Sequence, residues 1–175
     1  MGMTPIKKIE IESDMEASPL RIERTELDGV LLVHPPTQFE DFRGDYVETY
    51  NEALYRAAGI DDHFVQDDYS TSTRHVLRGI HGDNDTVKLI SCLFGKIYVV
   101  VVNNDPESAQ FRHWKSFTLS DRNRQQIYIP AKFGNAFLVM SELAIFHYKQ
   151  TTTYNRPGQF TIKWNDPVYG IWWPV

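Results

Sequence analysis

The 175-residue chain is predicted to be all-β, on three observations. Short runs of β-branched and aromatic residues recur at a spacing of about ten from residue 21 onward, with turn residues between them. The aromatics are numerous (10 Phe, 9 Tyr, 4 Trp), and 10 Gly and 9 Pro supply the turns. One segment alone has the composition and end signals of a helix. The pattern is that of a sandwich or barrel.

In chain order, residues 1–20 (with Lys7, Lys8, Glu10, Glu12, Asp14 and Glu16) read as a charged lead-in, and 21–175 as a single domain. Strands are predicted over 30–34 and 46–50. The helix follows: Asn51 caps it, Glu52 suits the positive end of its dipole, Ala53, Leu54, Ala57 and Ala58 form it, and Gly59 stops it. Further strands are predicted over 63–70, 76–80, 87–94, 96–103, 112–119, 126–129, 136–140, 144–150 and 160–163. Period-2 alternation in 87–93 sets Lys88 opposite Val87 and Leu89, facing either solvent or a wet interior. Residues 97–102 are apolar throughout, so both faces of that strand are expected to be covered. Gly95 between these runs predicts a hairpin, and Asn103-Asn104-Asp105-Pro106 a closing turn.

Composition prunes the functional classes. With 18 Lys+Arg against 23 Asp+Glu, net charge −5 and pI near 5.6, the chain is not expected to bind nucleic-acid polymers or a membrane surface. A local basic pocket for a phosphate remains open. No apolar run approaches the roughly 18 residues of a membrane span, and no signal core follows the N-terminus, so a cytoplasmic protein is expected. The single Cys92 excludes an internal disulfide framework. There is no GxGxxG, P-loop, GxSxG or HExxH. The six His include no H-x-H pair, and two positions beyond His81 stands Asp83; neither a metal nor a cofactor is expected.

The densest polar cluster is Gln66-Asp67-Asp68-Tyr69-Ser70-Thr71-Ser72, followed by Arg78-Gly79-Ile80-His81-Gly82-Asp83. One reading is a polar hairpin with a solvated tip. The other is a site: alternation sends Gln66, Asp68, Ser70 and Ser72 to one face, and the neighbouring strand adds Arg78 and His81. Such a face offers donors for hydroxyls, a guanidinium for phosphate, and an imidazole that takes a proton near neutral pH.

These residues carry a resemblance. Gln66-Asp67-x-x-Ser70-x-Ser72, Leu77-Arg78-Gly79-Ile80-His81, Lys88-Leu89, Ile129-Pro130, Ser141-Glu142, Tyr148-Lys149, Trp164-Asn165-Asp166-Pro167 and Gly170-Ile171-x-Trp173-Pro174 match the dTDP-4-dehydrorhamnose 3,5-epimerase family in order. Asp41-x-Arg43-Gly44-x-Tyr46-x-Glu48 matches it upstream, so the likeness runs from about residue 25 to 174. Gly82-Asp83 and Phe133-Gly134-Asn135-Ala136 look most like the subgroup acting on GDP-linked 4-keto-heptoses for surface polysaccharides such as lipopolysaccharide and capsule.

The resemblance implies a cupin-type jelly roll, free of metal and cofactor. It also implies a homodimer in which an N-terminal strand segment crosses to complete the partner's sheet and site. The implied substrate is a nucleotide diphosphate sugar, GDP- or dTDP-linked, whose C4 ketone acidifies the hydrogens on C3 and C5. By motif match His81 is the base, Tyr148 the acid, and Lys88 the cation near the C4 oxygen, assignments that suit an imidazole, a phenol and an ammonium. Arg78 and the partner's Arg43 match diphosphate-holding residues; Gln66, Glu48, Tyr46 and Tyr154 match the nucleoside and sugar wall. Local readings stand beside these: Arg43 can pair with Asp41 in its own turn, Tyr46 and Tyr154 can be core aromatics, and Trp164, Trp172 and Trp173 are expected to pack in the core.

Four departures from the family pattern shape the expectation. Asp68 stands where Asn is usual, Asn135 where a His is usual, and Val99-Val100-Val101-Val102-Asn103 where the family has D-V-x-V-D. The sequence reads to Val175, short of an S-x-K-D stretch whose Asp orients the catalytic His in typical members. A substitute carboxylate is therefore expected, Asp83 and Asp68 being nearest in sequence. The leading reading is an epimerase at C3, C5 or both; the alternatives are a 3,4-ketoisomerase and an inactive nucleotide-sugar-binding paralogue.

Overall fold

The computed structural model describes residues 20–36 and 38–175; most of the lead-in lies outside the described residues, as do the side chains of 38–40. Among the described residues the fold is β throughout except for one short helix and one 3-10 turn, as the strand spacing predicts. Strands β1 (Arg21–Arg24), β2 (Leu31–His34), β3 (Gln38–Asp41) and β4 (Gly44–Val47) precede helix α1 (Glu52–Ala57). Then come β5 (Gln66–Thr73), β6 (Leu77–Gly82), β7 (Lys88–Phe94), β8 (Lys96–Asn103), β9 (Trp114–Ser120), β10 (Gln126–Ile129), β11 (Phe133–Val139), β12 (Leu143–Gln150) and β13 (Phe160–Thr161). The pattern missed β1 and β3, and β4 begins earlier than the strand expected over 46–50.

Two antiparallel sheets face each other: β1-β2-β10-β7-β12-β5, and β13-β6-β11-β8-β9. From β5 to β8, and again from β9 to β13, each strand joins the sheet opposite its predecessor. The expected Gly95 hairpin is thus corrected, because β7 and β8 lie in different sheets and Gly95 turns the chain across the gap. Glycine is required there: φ is +78°, and a Cβ would sit 2.1 Å from the Leu143 carbonyl oxygen. The short hairpin β3–β4 stands apart as a third, two-stranded sheet.

Burial follows from this layering. The inner faces enclose one cluster that includes Ile90, Ile97, Val99, Val101, Ile127, Phe137 and Phe146. Val100 and Val102, on the other face of β8, pack with Ile80, Leu138, Ile162 and Trp173. Both faces of the apolar run 97–102 are therefore covered, as its composition predicts. A third cluster seats Tyr55 of α1 and Ile60 against Val33 and Leu89 on the outer face of the larger sheet. The helix ends where expected: Leu54 N–H donates to Asn51 Oδ1 at 3.4 Å, and Gly59 has φ +95°. Of the three C-terminal tryptophans only Trp173 is buried; Trp164 and Trp172 are exposed, which corrects the core reading for those two. Trp173 packs in the second cluster and its Nε1 donates to the Trp164 carbonyl oxygen at 2.9 Å, while the Trp172 ring makes an edge-on contact with Tyr98.

Candidate active site

Between the inner faces opens a cavity of about 540 Å³. Ile90 of β7, Phe137 of β11 and Phe146 of β12 form its apolar part, the two Phe rings stacked with centroids 4.3 Å apart. Around them stand Ser70 of β5, Arg78 and His81 of β6, Lys88 of β7, Asn135 of β11, and Tyr148 and Gln150 of β12. The segment after β12 adds Tyr154, Arg156 and Gln159, and β13 adds Thr161.

Simple alternation would set Arg78 and His81, three residues apart, on opposite faces. A register shift resolves this: Asn135 pairs with His81 and Phe137 with Arg78, so β6 carries one residue more than β11 across that interval. The bulge turns both side chains into the cavity. Gly79 lies within it at φ +116°, where a Cβ would be 2.6 Å from Ala136 Cα. On β5 alternation is regular, and Gln66, Asp68, Ser70 and Ser72 share the inner face as expected. Ser72 Oγ accepts from Arg78 Nε at 2.9 Å.

The three groups assigned to chemistry sit in distinct electrostatic settings. Burial, with the Lys88 ammonium nearby, lowers the His81 imidazole below its ordinary pKa, so at neutral pH it is uncharged and able to accept a proton. Burial and the Asp68 carboxylate raise the Tyr148 phenol, which keeps its proton. Lys88 is 8% exposed; burial lowers its pKa and the Asp83 carboxylate works against that shift. Its Nζ donates to Asn135 Oδ1 at 3.2 Å. A neutral base, a neutral acid and a cation thus share one cavity, the arrangement that proton transfer through a stabilised anion needs.

The His81 ring is held from β13. Nδ1 lies 3.2 Å from Thr161 Oγ1, and the two residues are directly opposed in the β13–β6 register. The expected carboxylates are otherwise engaged. Asp83 Oδ1 accepts from the backbone of Asp85 at 3.0 Å and Thr86 at 2.6 Å. Asp68 Oδ2 accepts from Gln66 Nε2 at 2.6 Å and acts on Tyr148. Orientation of His81 by Asp83 or Asp68 is therefore corrected to a hydroxyl contact, because both carboxylates are spent on their own loop and strand neighbours.

Of the sequence-predicted residues, His81, Lys88, Tyr148, Arg78, Asn135 and Tyr154 line the cavity. Gln66 and Asp68 stand at its rim, Gln66 Oε1 accepting from Tyr154 N–H at 2.8 Å. Asn135 holds Lys88. Arg43, Tyr46 and Glu48 are not brought to the cavity of their own chain: Arg43 pairs with Asp41 at 2.5 Å, Tyr46 is exposed on the separate hairpin, and Glu48 lies near Tyr55. Gln150, Arg156, Gln159 and Thr161 were not anticipated. Arg156 alone carried a signal, a cation in the Asn155-Arg156-Pro157-Gly158 turn just after Tyr154. Among the described residues no three His, Cys, Asp or Glu side chains converge as metal ligands would.

Comparison with known proteins identifies the family. The family model for dTDP-4-dehydrorhamnose 3,5-epimerase matches residues 24–175. A protein of that description from Methanothermobacter thermautotrophicus is 38% identical over 157 residues, covering 89% of this chain and 84% of the relative. One from Escherichia coli K12 is 38% identical over 159 residues, covering 89% and 85%. The crystal structure of a dTDP-6-deoxy-D-glucose-3,5-epimerase from Legionella pneumophila, in complex with dTDP-4-keto-L-rhamnose, superposes with TM-score 0.85 at 35% identity, covering 89% of this chain and 84% of that one. With its two facing sheets and its sequence matched over nearly the whole described length, the chain belongs to the dTDP-4-dehydrorhamnose 3,5-epimerase family.

Proposed function

We propose that the protein is a cofactor-independent nucleotide-sugar epimerase that inverts C3, C5 or both on an NDP-4-keto sugar. The observation that carries this reading is the opposed tuning of His81 and Tyr148 in one cavity with Lys88. His81 takes the proton from the carbon beside the ketone, and the C–H electron pair moves toward the C4 oxygen. Lys88 faces the resulting enolate, whose charge a largely buried ammonium stabilises more strongly than one in open water. Tyr148 then delivers a proton to the opposite face as the pair returns to carbon, leaving the ketone at C4 and the configuration inverted. Arg78 and Arg156 supply two cations for the diphosphate in a chain of net charge −5.

The assembly in this reading is a homodimer. Arg43, Tyr46 and Glu48 belong to the hairpin and the segment after it, and they reach a site only in a second protomer. The substrate is GDP- or dTDP-linked, a 6-deoxyhexose or a heptose, and the enzyme works in the cytoplasm on precursors of surface polysaccharide.

The test is exchange with solvent. Incubation with GDP- and dTDP-linked 4-keto sugars in D₂O is expected to place deuterium at C3, C5 or both with the ketone retained at C4. A ketone found at C3 would replace the reading with a 3,4-ketoisomerase, and absence of exchange with every substrate would replace it with a binding protein. His81→Asn is expected to abolish exchange at all positions.

A further inference from the structure

Gln150 belongs to the cavity but has no part in the proton transfers just described. It is 4% exposed, and its Nε2 is a buried donor without a hydrogen-bond partner. Native structures rarely leave such a donor unpaired, so each instance asks for an absent acceptor. The position narrows what that acceptor is. Gln150 lies on β12 two residues beyond Tyr148, hence on the same inner face, and is directly opposed to Lys88 in the β12–β7 register. It stands, therefore, at the reacting end of the cavity.

Behind it is a second chamber of about 260 Å³, lined by Asp83, Thr86, Thr152 and Gln159 among others. Gln150, Tyr154 and Gln159 border both spaces, so the two are contiguous. The chamber is polar: the Thr86 and Thr152 hydroxyls are 2.6 Å apart, and each can turn toward a ligand oxygen. The terminal amide torsion of a glutamine is soft and roughly two-fold, so the donor is able to face either space.

Sugar chemistry says what reaches there. On a 4-keto pyranose C1 carries the diphosphate, C2 and C3 carry hydroxyls, and C4 carries the ketone. C5 alone bears a carbon branch that can extend past the enolate oxygen into an adjoining chamber. In a 6-deoxyhexose that branch is a methyl group, which offers Gln150 no acceptor. We propose that Gln150 is a specificity residue for the C5 branch: its amide donates to a hydroxyl on that branch, and the preferred substrate carries a hydroxylated rather than a methyl C5 side chain. The proposal deepens the epimerase reading and rests on it for the placement of the ring.

Binding of unreactive ligands tests it without requiring turnover. GDP- and dTDP-linked hexoses, which carry a C6 hydroxyl, are compared by calorimetry with their 6-deoxy counterparts. The wild-type protein is expected to bind the hydroxylated member of at least one pair about tenfold more tightly, the contribution of one hydrogen bond to an otherwise unpaired donor. Gln150→Met keeps the length of the side chain and removes the donor, and is expected to erase the difference. Equal affinities in the wild type, or a preference undiminished in the variant, would overturn the proposal. The wild-type comparison decides it should the variant not fold. Solvent exchange is measured on the same protein preparation with 4-keto sugar nucleotides in D₂O, so discrimination without exchange keeps the proposal while removing the epimerase reading, and exchange without discrimination does the reverse.

Discussion

At His81 the second ring nitrogen meets a hydroxyl. Thr161 Oγ1, 3.2 Å from Nδ1, holds the imidazole plane, and in the tautomer the proposed base needs it accepts from Nδ1–H and leaves the Nε2 lone pair for the cavity. A hydroxyl adds no negative charge, so nothing offsets the lowering caused by burial and by Lys88. In the proposed mechanism the active form needs His81 deprotonated, so activity is expected to be lost as pH falls through its pKa. The acidic limb of kcat/KM is expected below the ordinary imidazole range. In the same mechanism Lys88 acts as a cation, so its lowered pKa is expected to set a basic limb below the ordinary lysine range, before Tyr148 with its raised value is reached. Thr161→Val is expected to reduce kcat roughly tenfold with KM little changed, Thr161→Ser to restore it, and Thr161→Asp to move the acidic limb upward. A pH–rate profile of the three variants checks the set; an unmoved limb in Thr161→Asp would remove the contact from the mechanism.

The residues that the sequence brings to the cavity are those belonging to a contiguous motif. Leu77-Arg78-Gly79-Ile80-His81 and Tyr148-Lys149 are short words in which chemistry and neighbours travel together. Thr161 and Gln150 have no such context. Thr161 matters because β13 pairs with β6, and Gln150 because β12 pairs with β7. Those partnerships are between distant segments, and no local pattern announces them. The expectation of a carboxylate beside His81 failed for a related reason: Asp83 is near in sequence, but a turn claims its oxygen.

Elements tell a similar story one level up. Alternation identified the strands and the inner face of β5, because a face buried against a sheet imposes period two on the chain. It did not reveal to which sheet a strand belongs, and Gly95 shows why: a glycine at positive φ serves a hairpin and a cross-sheet turn equally well. The difference lies in what surrounds it. A Cβ at residue 95 would meet the Leu143 carbonyl oxygen at 2.1 Å and Ser141 Oγ at 2.4 Å, whereas one at Gly59 meets nothing within 4 Å. Gly95→Ala is expected to destabilise the fold by roughly 2–5 kcal/mol, combining left-handed backbone strain with overpacking. Gly59→Ala carries the backbone cost alone, roughly 1 kcal/mol. Urea unfolding of both variants checks the contrast, and equal losses would mean that crowding at Gly95 is relieved by local movement.

For the whole molecule, the hairpin β3–β4 is the part least explained by a lone chain. Phe42 is 83% exposed and Tyr46 is exposed too, on a two-stranded sheet separate from both large ones. If the hairpin serves a second protomer, a site needs His81 from one chain and Arg43 from the other. Arg43→Ala and His81→Asn are then each expected to be severely impaired alone, while subunits mixed in equal amounts and allowed to exchange recover roughly a quarter of wild-type activity, since half the dimers are mixed and each has one intact site. No recovery after subunit exchange would place Arg43 outside the site.

The routing of consecutive strands into opposite sheets also governs how the molecule comes into being. Strand β5 must wait for β12, and the pair Asp68–Tyr148 joins positions 80 residues apart in the chain. Few neighbouring strands can zip together as they form, so loop closure over long distances sets the folding barrier, and folding is expected to be slow for a domain of this size. During synthesis the base of the proposed reaction emerges long before its acid, and the hydroxyl that orients the base emerges later still. A ribosome-bound chain gains its cavity only when nearly the whole sequence has been made, so no partial product can act on sugar nucleotides.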